Sequence, residues 1–263
     1  KTISKHFLEK NKSAIQIAGS DPQEIKRTIN ILNRIDIIKH VNFNLGCPSS
    51  RVQENMLGLA LTQNYDLVKK CLFELINYKH EVSVKCRLGL GMNEDKNYIF
   101  SYLNLFKDIG IKKVFIHCRN GVLNLDTKKN RTIPQINYEL FLECSKKFPE
   151  MELIPNGEVN DLETFNSFKS KNINKYMIGR QFAKDALFLE KLKLEKINDK
   201  TSLVLDSIKE LDNYKYLNIN LLKKSLFTLI NNISNSKGIK KDISIIDNTK
   251  DLLNYIERKI IWT

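Results

Sequence analysis

The chain is short of several features, and each absence removes a class of protein. Its five cysteines (Cys47, Cys71, Cys86, Cys118, Cys144) are odd in number and include no C-x-x-C pair. Neither a disulfide framework nor a zinc site is indicated, and a reducing compartment is expected. No run of about 18 apolar residues exists, so no helical membrane span is expected. No G-x-G-x-x-G follows the first strand-like segment, which weakens a dinucleotide-binding sheet. The first residue is Lys1 rather than Met, so a processed or cut chain is expected, with any targeting segment out of sight.

What is present is basic and apolar enough to fold. The 263 residues are 42% hydrophobic, ample for a core, and carry a net charge of +13. Such a charge suggests a polyanionic partner.

The sequence is organised around His40–Arg51, H-V-N-F-N-L-G-C-P-S-S-R. Val41, Phe43 and Leu45 alternate with polar residues, as in a strand with one buried face, and Gly46 and Pro48 stop it. The thiol of Cys47 therefore sits where a strand leaves a sheet, with Asn44 in the same turn and Pro48 stiffening the exit. A buried structural cysteine would have this placement too; the shared turn favours a presented side chain.

Further strands are expected at Ser13–Ala18, Val82–Leu88, Val114–Cys118, Met151–Pro155 and Tyr176–Ile178. Helical patterns lie between them. Asp21-Pro22 opens one, with Glu24 completing a capping box before Ile25, Ile29 and Leu32. Others start near Asn64, cover Tyr98–Phe106 and Tyr138–Lys147, or are capped by Asn160. Strands alternating with helices demand parallel pairing and right-handed crossovers. A doubly wound sheet and a (β/α)₈ barrel both fit. In a barrel the chemistry gathers at the C-terminal ends of strands, where Gln16, Asn44, Cys47, Lys85, Arg87, His117, Asn156 and Arg180 all fall. From about Asp185 the strands vanish. Leu187–Ile197, Ser202–Leu211, Leu217–Ile233 and Thr249–Ile261 read as helices, so residues 1–185 are expected to form one domain and 186–263 a second, helical one.

These segments together resemble the tRNA-dihydrouridine synthases. Gln16-Ile-Ala-Gly-Ser20, Asn42-Phe-Asn-Leu-Gly-Cys-Pro-Ser49, Val82-Ser-Val-Lys-Cys-Arg-Leu-Gly89, Phe115-Ile-His-Cys-Arg119, Pro155-Asn-Gly157 and Met177-Ile-Gly-Arg180 occur in that family's order. Ser49-Ser-Arg-Val-Gln53 and Lys129-Asn-Arg-Thr-Ile-Pro134 are similar to its bacterial A-type branch. The resemblance covers roughly residues 14–185.

It implies a TIM-type barrel of eight strands, six of them here, followed by a small helical tRNA-binding domain. It also implies FMN as cofactor, NADPH as electron donor, and reduction of uridine to dihydrouridine in the D-loop of tRNA, at positions 20/20a if the A-type likeness holds. By the same resemblance Gln16, Lys85 and His117 hold the flavin ring, and Asn156, Gly157, Glu158, Gly179 and Arg180 its phosphate. Cys47 donates the proton, and Asn44, Arg51, Arg87, Lys129, Asn130 and Arg131 contact the base and nearby RNA. The implied protein is a monomer without metal or membrane, working in the cytoplasm or in an organelle with its own tRNAs.

Departures accompany the likeness. Glu158 replaces the second glycine of the family's N-G-G, tolerable if its side chain points away from the phosphate. Asp185-Ala186 replaces an Asn-Pro, Asn55 and Met56 stand where the A branch has a glycine and a basic residue, and Asn120 replaces a lysine. The two strands that precede Gln16 in the family, the first bearing a Pro-Met turn, are not among these residues. A non-catalytic RNA-binding relic and a flavin dehydrogenase acting on a small molecule are the rival readings.

Overall fold

In the computed structural model, residues 14–184, 219–230 and 233–260 are described, together with 188, 192, 205, 206 and 209. They fall into two compact units, one within Lys1–Val159 and Phe168–Met177, the other within Asn160–Ser167 and Ile178–Thr263.

The first unit is built on a parallel five-stranded sheet: β1 (Ile15–Ile17), β2 (His40–Asn44), β3 (Glu81–Arg87), β4 (Lys113–His117) and β5 (Glu152–Asn156), paired in chain order. Consecutive order leaves no point at which the winding reverses, the feature that marks a doubly wound sheet. The expected sixth strand is reduced to a bridge: Met177 pairs with Asn156, its N–H bonding Pro155 O at 2.9 Å.

Between the strands run α1 (Pro22–Leu32), α2 (Ser50–Glu54), α3 (Tyr65–Leu75), α4 (Lys96–Ile109) and α5 (Tyr138–Lys147). Their starts follow from local chemistry. Asp21, Asn64, Asp95 and Asn137 each accept a first-turn amide on a side-chain oxygen, which satisfies a donor with no partner inside the helix. The capping box expected at Glu24 does not close, because the Glu24 carboxylate turns to Arg27 one turn on. At α6 (Leu162–Lys169) the residue accepting the first-turn amide is Asp161, at 2.7 Å from Thr164 N, rather than Asn160.

Strand alternation gives the sheet two unlike faces. Val41, Phe43, Val84, Cys86, Val114, Ile116 and Leu153 are buried on one, with the buried stripes of α1, α3, α4 and α5 completing the core. The other is polar. The register places Gln16, Asn42, Ser83, Lys113 and Glu152 in one row across all five strands, with His40 and Glu81 below it and Asn44 and Lys85 above. Parallel sheets usually bury apolar residues on both faces, so a polar row with Ser83 fully buried and Asn42 5% exposed is a departure that needs a purpose. At the lower end Lys113 bridges Glu81 and Glu152, and Glu152 also holds Lys175.

The second unit includes α7 (Arg180–Lys184), α8 (Ile219–Leu229), α9 (Ser236–Ser244) and α10 (Thr249–Lys259). Leu222, Leu226, Ile230, Ile239, Ile243, Leu252, Ile256 and Ile260 form its apolar core. Lys223 is buried, and its ammonium donates to Ser244 O at the end of α9. Most of the expected helices Leu187–Ile197 and Ser202–Leu211 lies outside the described residues.

Candidate active site

The C-terminal ends of β2 to β5 bring one thiol, one lysine amine and one imidazole to the same edge of the sheet. Cys47 follows β2 in a turn held by Asn44, whose Oδ1 accepts from the N–H groups of Gly46 and Cys47, both at 3.1 Å. The Cys47 thiol is half-buried and donates to Ser49 Oγ at 3.4 Å. Gly58 lies against this turn. With φ of +57°, and a Cβ that would fall 2.8 Å from Cys47 O, no other residue fits there.

The other four cysteines are buried. Burial pushes the thiols of Cys86 and Cys144 up to about 12 and that of Cys71 to about 11, and raises Cys118 as well. They are protonated core residues, and only Cys47 is placed for chemistry.

Lys85 shares the sheet face of Asn44. It is half-buried, and among the described residues its ammonium has no hydrogen-bond or carboxylate partner. Burial lowers its pKa, and the neighbouring Arg87 lowers it further, while Cys86, Cys47 and Cys118 act in the opposite sense. A lysine amine at this depth is costly to keep charged unless a ligand answers it. His117 ends β4, and its ring lies against Gly157: a Cβ at 157 would fall 2.6 Å from His117 Cδ2, and Gly157 has φ of +113°. Tyr138 Oη donates to Gly157 O at 2.7 Å, and Asn156 Nδ2 donates to Met177 O at 2.8 Å, which fixes the turn after β5.

Glu158, at the position of the resembled family's second glycine, keeps the backbone habit of a glycine, with φ of +52°. Its carboxylate is paired with the buried guanidinium of Arg119, which also donates to Pro134 O. The charge is thus answered within the protein.

Two residues expected to touch RNA are built into the scaffold instead. Arg87 is 4% exposed. Its guanidinium donates to Gly46 O at 3.0 Å, Asn120 O at 2.8 Å and Asn130 O at 3.3 Å, so it ties three loops together. Burial, and then Arg119, lower its pKa to about 10, which leaves it charged at neutral pH. Asn130 is fully buried, and its side chain bonds Val122 N, Val122 O and Leu125 O. Its neighbours Lys129 and Arg131, on the same 3₁₀ turn, are exposed, as is Arg51 on α2. Gln16 is exposed on β1 and bonds Asn42 and Asn44. Gly179 and Arg180 are exposed at the start of α7 in the second unit.

Reading strand ends alone overlooked Asn42, Ser83 and Arg119. The alternation that placed Asn44 and Lys85 on one face would have placed Asn42 and Ser83 there too.

The family model described as Dihydrouridine synthase (Dus) matches residues 2–257. This chain belongs to that family. Among curated relatives it is similar to the tRNA-dihydrouridine(20/20a) synthase of Pseudomonas aeruginosa, 29% identical over 170 residues, which is 64% of this chain and 51% of that one. The protein of the same name from Pasteurella multocida is 30% identical over 173 residues, 65% of this chain and 52% of the relative. That from Yersinia pestis is 28% identical over 202 residues, 76% and 58% respectively. The chain thus spans about half the length of the curated relatives it matches. Among the described residues no helix is long and apolar enough to cross a membrane, and no group of three or more His, Cys, Asp or Glu side chains could hold a metal.

Proposed function

We propose that this protein reduces uridine to 5,6-dihydrouridine in tRNA, at positions 20/20a, with FMN as cofactor and NADPH as electron donor. The observation that carries the reading is a presented thiol at Cys47 and, at the same sheet edge, a Lys85 amine with no partner among the described residues. The donor set suits a flavin: the Gln16 amide, the Lys85 ammonium and the His117 imidazole match the carbonyl-rich edge of its ring. Asn156, Gly157 and the backbone of Glu158 would take its phosphate. Five parallel strands in sequential order fit the family's TIM-type barrel, and residues 186–263 are read as its helical tRNA-binding domain.

Saturating the C5–C6 bond of uracil needs a hydride at one carbon and a proton at the other. When bound, the reduced flavin supplies the hydride. The Cys47 thiol gives its proton to the second carbon, and Ser49 Oγ, at 3.4 Å, lies beside the sulfur left behind. Its partial exposure lets solvent return the proton. Asn44 holds the turn, so the sulfur stays at one place through the cycle. Lys129, Arg131 and Arg51 offer exposed cations to tRNA phosphates.

The test is Cys47→Ala. FMN uptake and reduction by NADPH should persist, while dihydrouridine formation falls by about 10²-fold or more, the scale for losing a general acid. Reduced flavin that the variant re-oxidises with tRNA as fast as wild type would make Cys47 a structural residue and end the proposal.

A further inference from the structure

The polar row beneath the site is a directional chain of hydrogen bonds, and its direction follows from two backbone amides. Asn44 Oδ1 accepts from the N–H groups of Gly46 and Cys47, so the atom facing them must be the oxygen. Asn44 Nδ2 then donates to Gln16 Oε1 at 3.4 Å. Gln16 Nε2 in turn donates to Asn42 Oδ1 at 2.6 Å, and Asn42 Nδ2 to Ser83 Oγ at 2.8 Å. Ser83 Oγ lies 2.6 Å from His40 Nε2. With one lone pair taken by Asn42, the hydroxyl still has its own proton to give, and Nε2 is an acceptor within reach. A hydroxyl that donates there leaves the His40 proton on Nδ1, which sits 3.5 Å from Glu81 Oε2.

We propose that Ser83 and Asn42 are positioning residues that, with His40 neutral, lock the Gln16 amide in one orientation at the flavin site. Gln16 is left with one N–H and one oxygen lone pair uncommitted by Asn42 and Asn44, a fixed donor and acceptor for the flavin ring. The proposal rests on the reading of Gln16 as a flavin-holding residue. Without the chain an amide side chain can turn over and present the opposite pattern. The setting of His40 agrees: burial lowers its pKa, while Glu81 on β3, Lys113 on β4 and Glu152 on β5 act on it with opposing signs.

Three variants and two measurements test this. Ser83→Ala removes the acceptor of Asn42, frees the Gln16 amide to turn, and should weaken FMN binding about tenfold, as read by flavin fluorescence quenching, the scale of one hydrogen bond to the flavin presented the wrong way round. Ser83→Thr keeps the hydroxyl and should restore near wild-type affinity. Asn42→Asp cannot donate, so Ser83 must turn its proton toward residue 42, and His40 must then present Nε2–H. Nitrogen-15 NMR of flavin-free protein should therefore show the Nδ1–H tautomer of His40 in wild type and a proton on Nε2 in Asn42→Asp. The affinity ratio between wild type and Ser83→Ala should also shrink as pH falls and His40 takes up its second proton. Equal FMN affinity in wild type and Ser83→Ala, or an Nε2–H His40 in wild type, overturns the chain. A wild-type protein that shows the Nδ1–H tautomer but takes up no FMN overturns the flavin reading, and with it the purpose given to the chain.

Discussion

Replacing Arg87 by methionine separates a scaffold residue from an RNA contact. Methionine has similar length and no charge, so the change removes donors from three carbonyl oxygens, those of Gly46, Asn120 and Asn130, while leaving most of the packing. Each abandoned buried carbonyl loses about 1 kcal/mol, so the variant should be about 3 kcal/mol less stable. At roughly 2–4 °C per kcal/mol for a protein of this size, the midpoint of thermal unfolding should drop by about 6–12 °C. The companion measurement is tRNA affinity against salt. A lysine or arginine on a phosphate contributes about one unit to the slope of log K against log salt; Arg87 is buried and should contribute none. Affinity itself can fall, because Asn120 and Asn130 anchor the loop that bears Lys129 and Arg131. A variant that melts with wild type while its salt slope drops by about one unit would refute the scaffold assignment and return Arg87 to the RNA.

Charge reversal at Lys129 and Arg131 should do what Arg87→Met does not: weaken tRNA binding at moderate salt and flatten the salt slope, with the melting point unchanged. Glu158→Gln leaves the buried Arg119 without its counter-ion and should cost about 2 kcal/mol, between the values for exposed and buried pairs. Glu158→Gly also relieves the left-handed backbone, so urea unfolding should find it about 1 kcal/mol more stable than the glutamine variant; the reverse order would discard this account. His40 has its pKa lowered from 6.5 by burial, so between that lowered value and 6.5 the unfolded chain binds more protons than the folded one. Stability should therefore fall as pH drops through that window, and His40→Gln, which cannot titrate, should flatten the dependence. Deleting 186–263 should weaken tRNA binding strongly and leave NADPH-driven flavin reduction in place; an unchanged tRNA affinity would remove the role given to the helical segment.

What could be read from the residues, and what could not, divides by distance along the chain. Strand alternation placed Val41 and Phe43 in the core, and side-chain caps opened α1 and α3 at Asp21 and Asn64, because these depend on neighbours within a few residues. The strand ends carrying Asn44, Lys85 and His117 followed from the same local signal. Arg87 could be placed on the right face, but its burial is decided by carbonyls of Asn120 and Asn130, 33 and 43 residues away. Glu158 looked like a carboxylate beside a phosphate until Arg119, 39 residues earlier, was found to hold it. At Tyr176–Ile178 the apolar pattern of a strand is present, yet only Met177 pairs, with Asn156 at the end of β5.

The unequal burial of the thiols gives the experimenter a ready handle. Four of the five cysteines are sealed in the core and held protonated, so a brief pulse of maleimide dye on the folded protein should modify Cys47 alone. No cysteine-free background would have to be made first. Because the turn around that sulfur is pinned by Asn44 and crowded by Gly58, the dye would sit at a fixed spot on that edge, and its emission would test whether tRNA docks there.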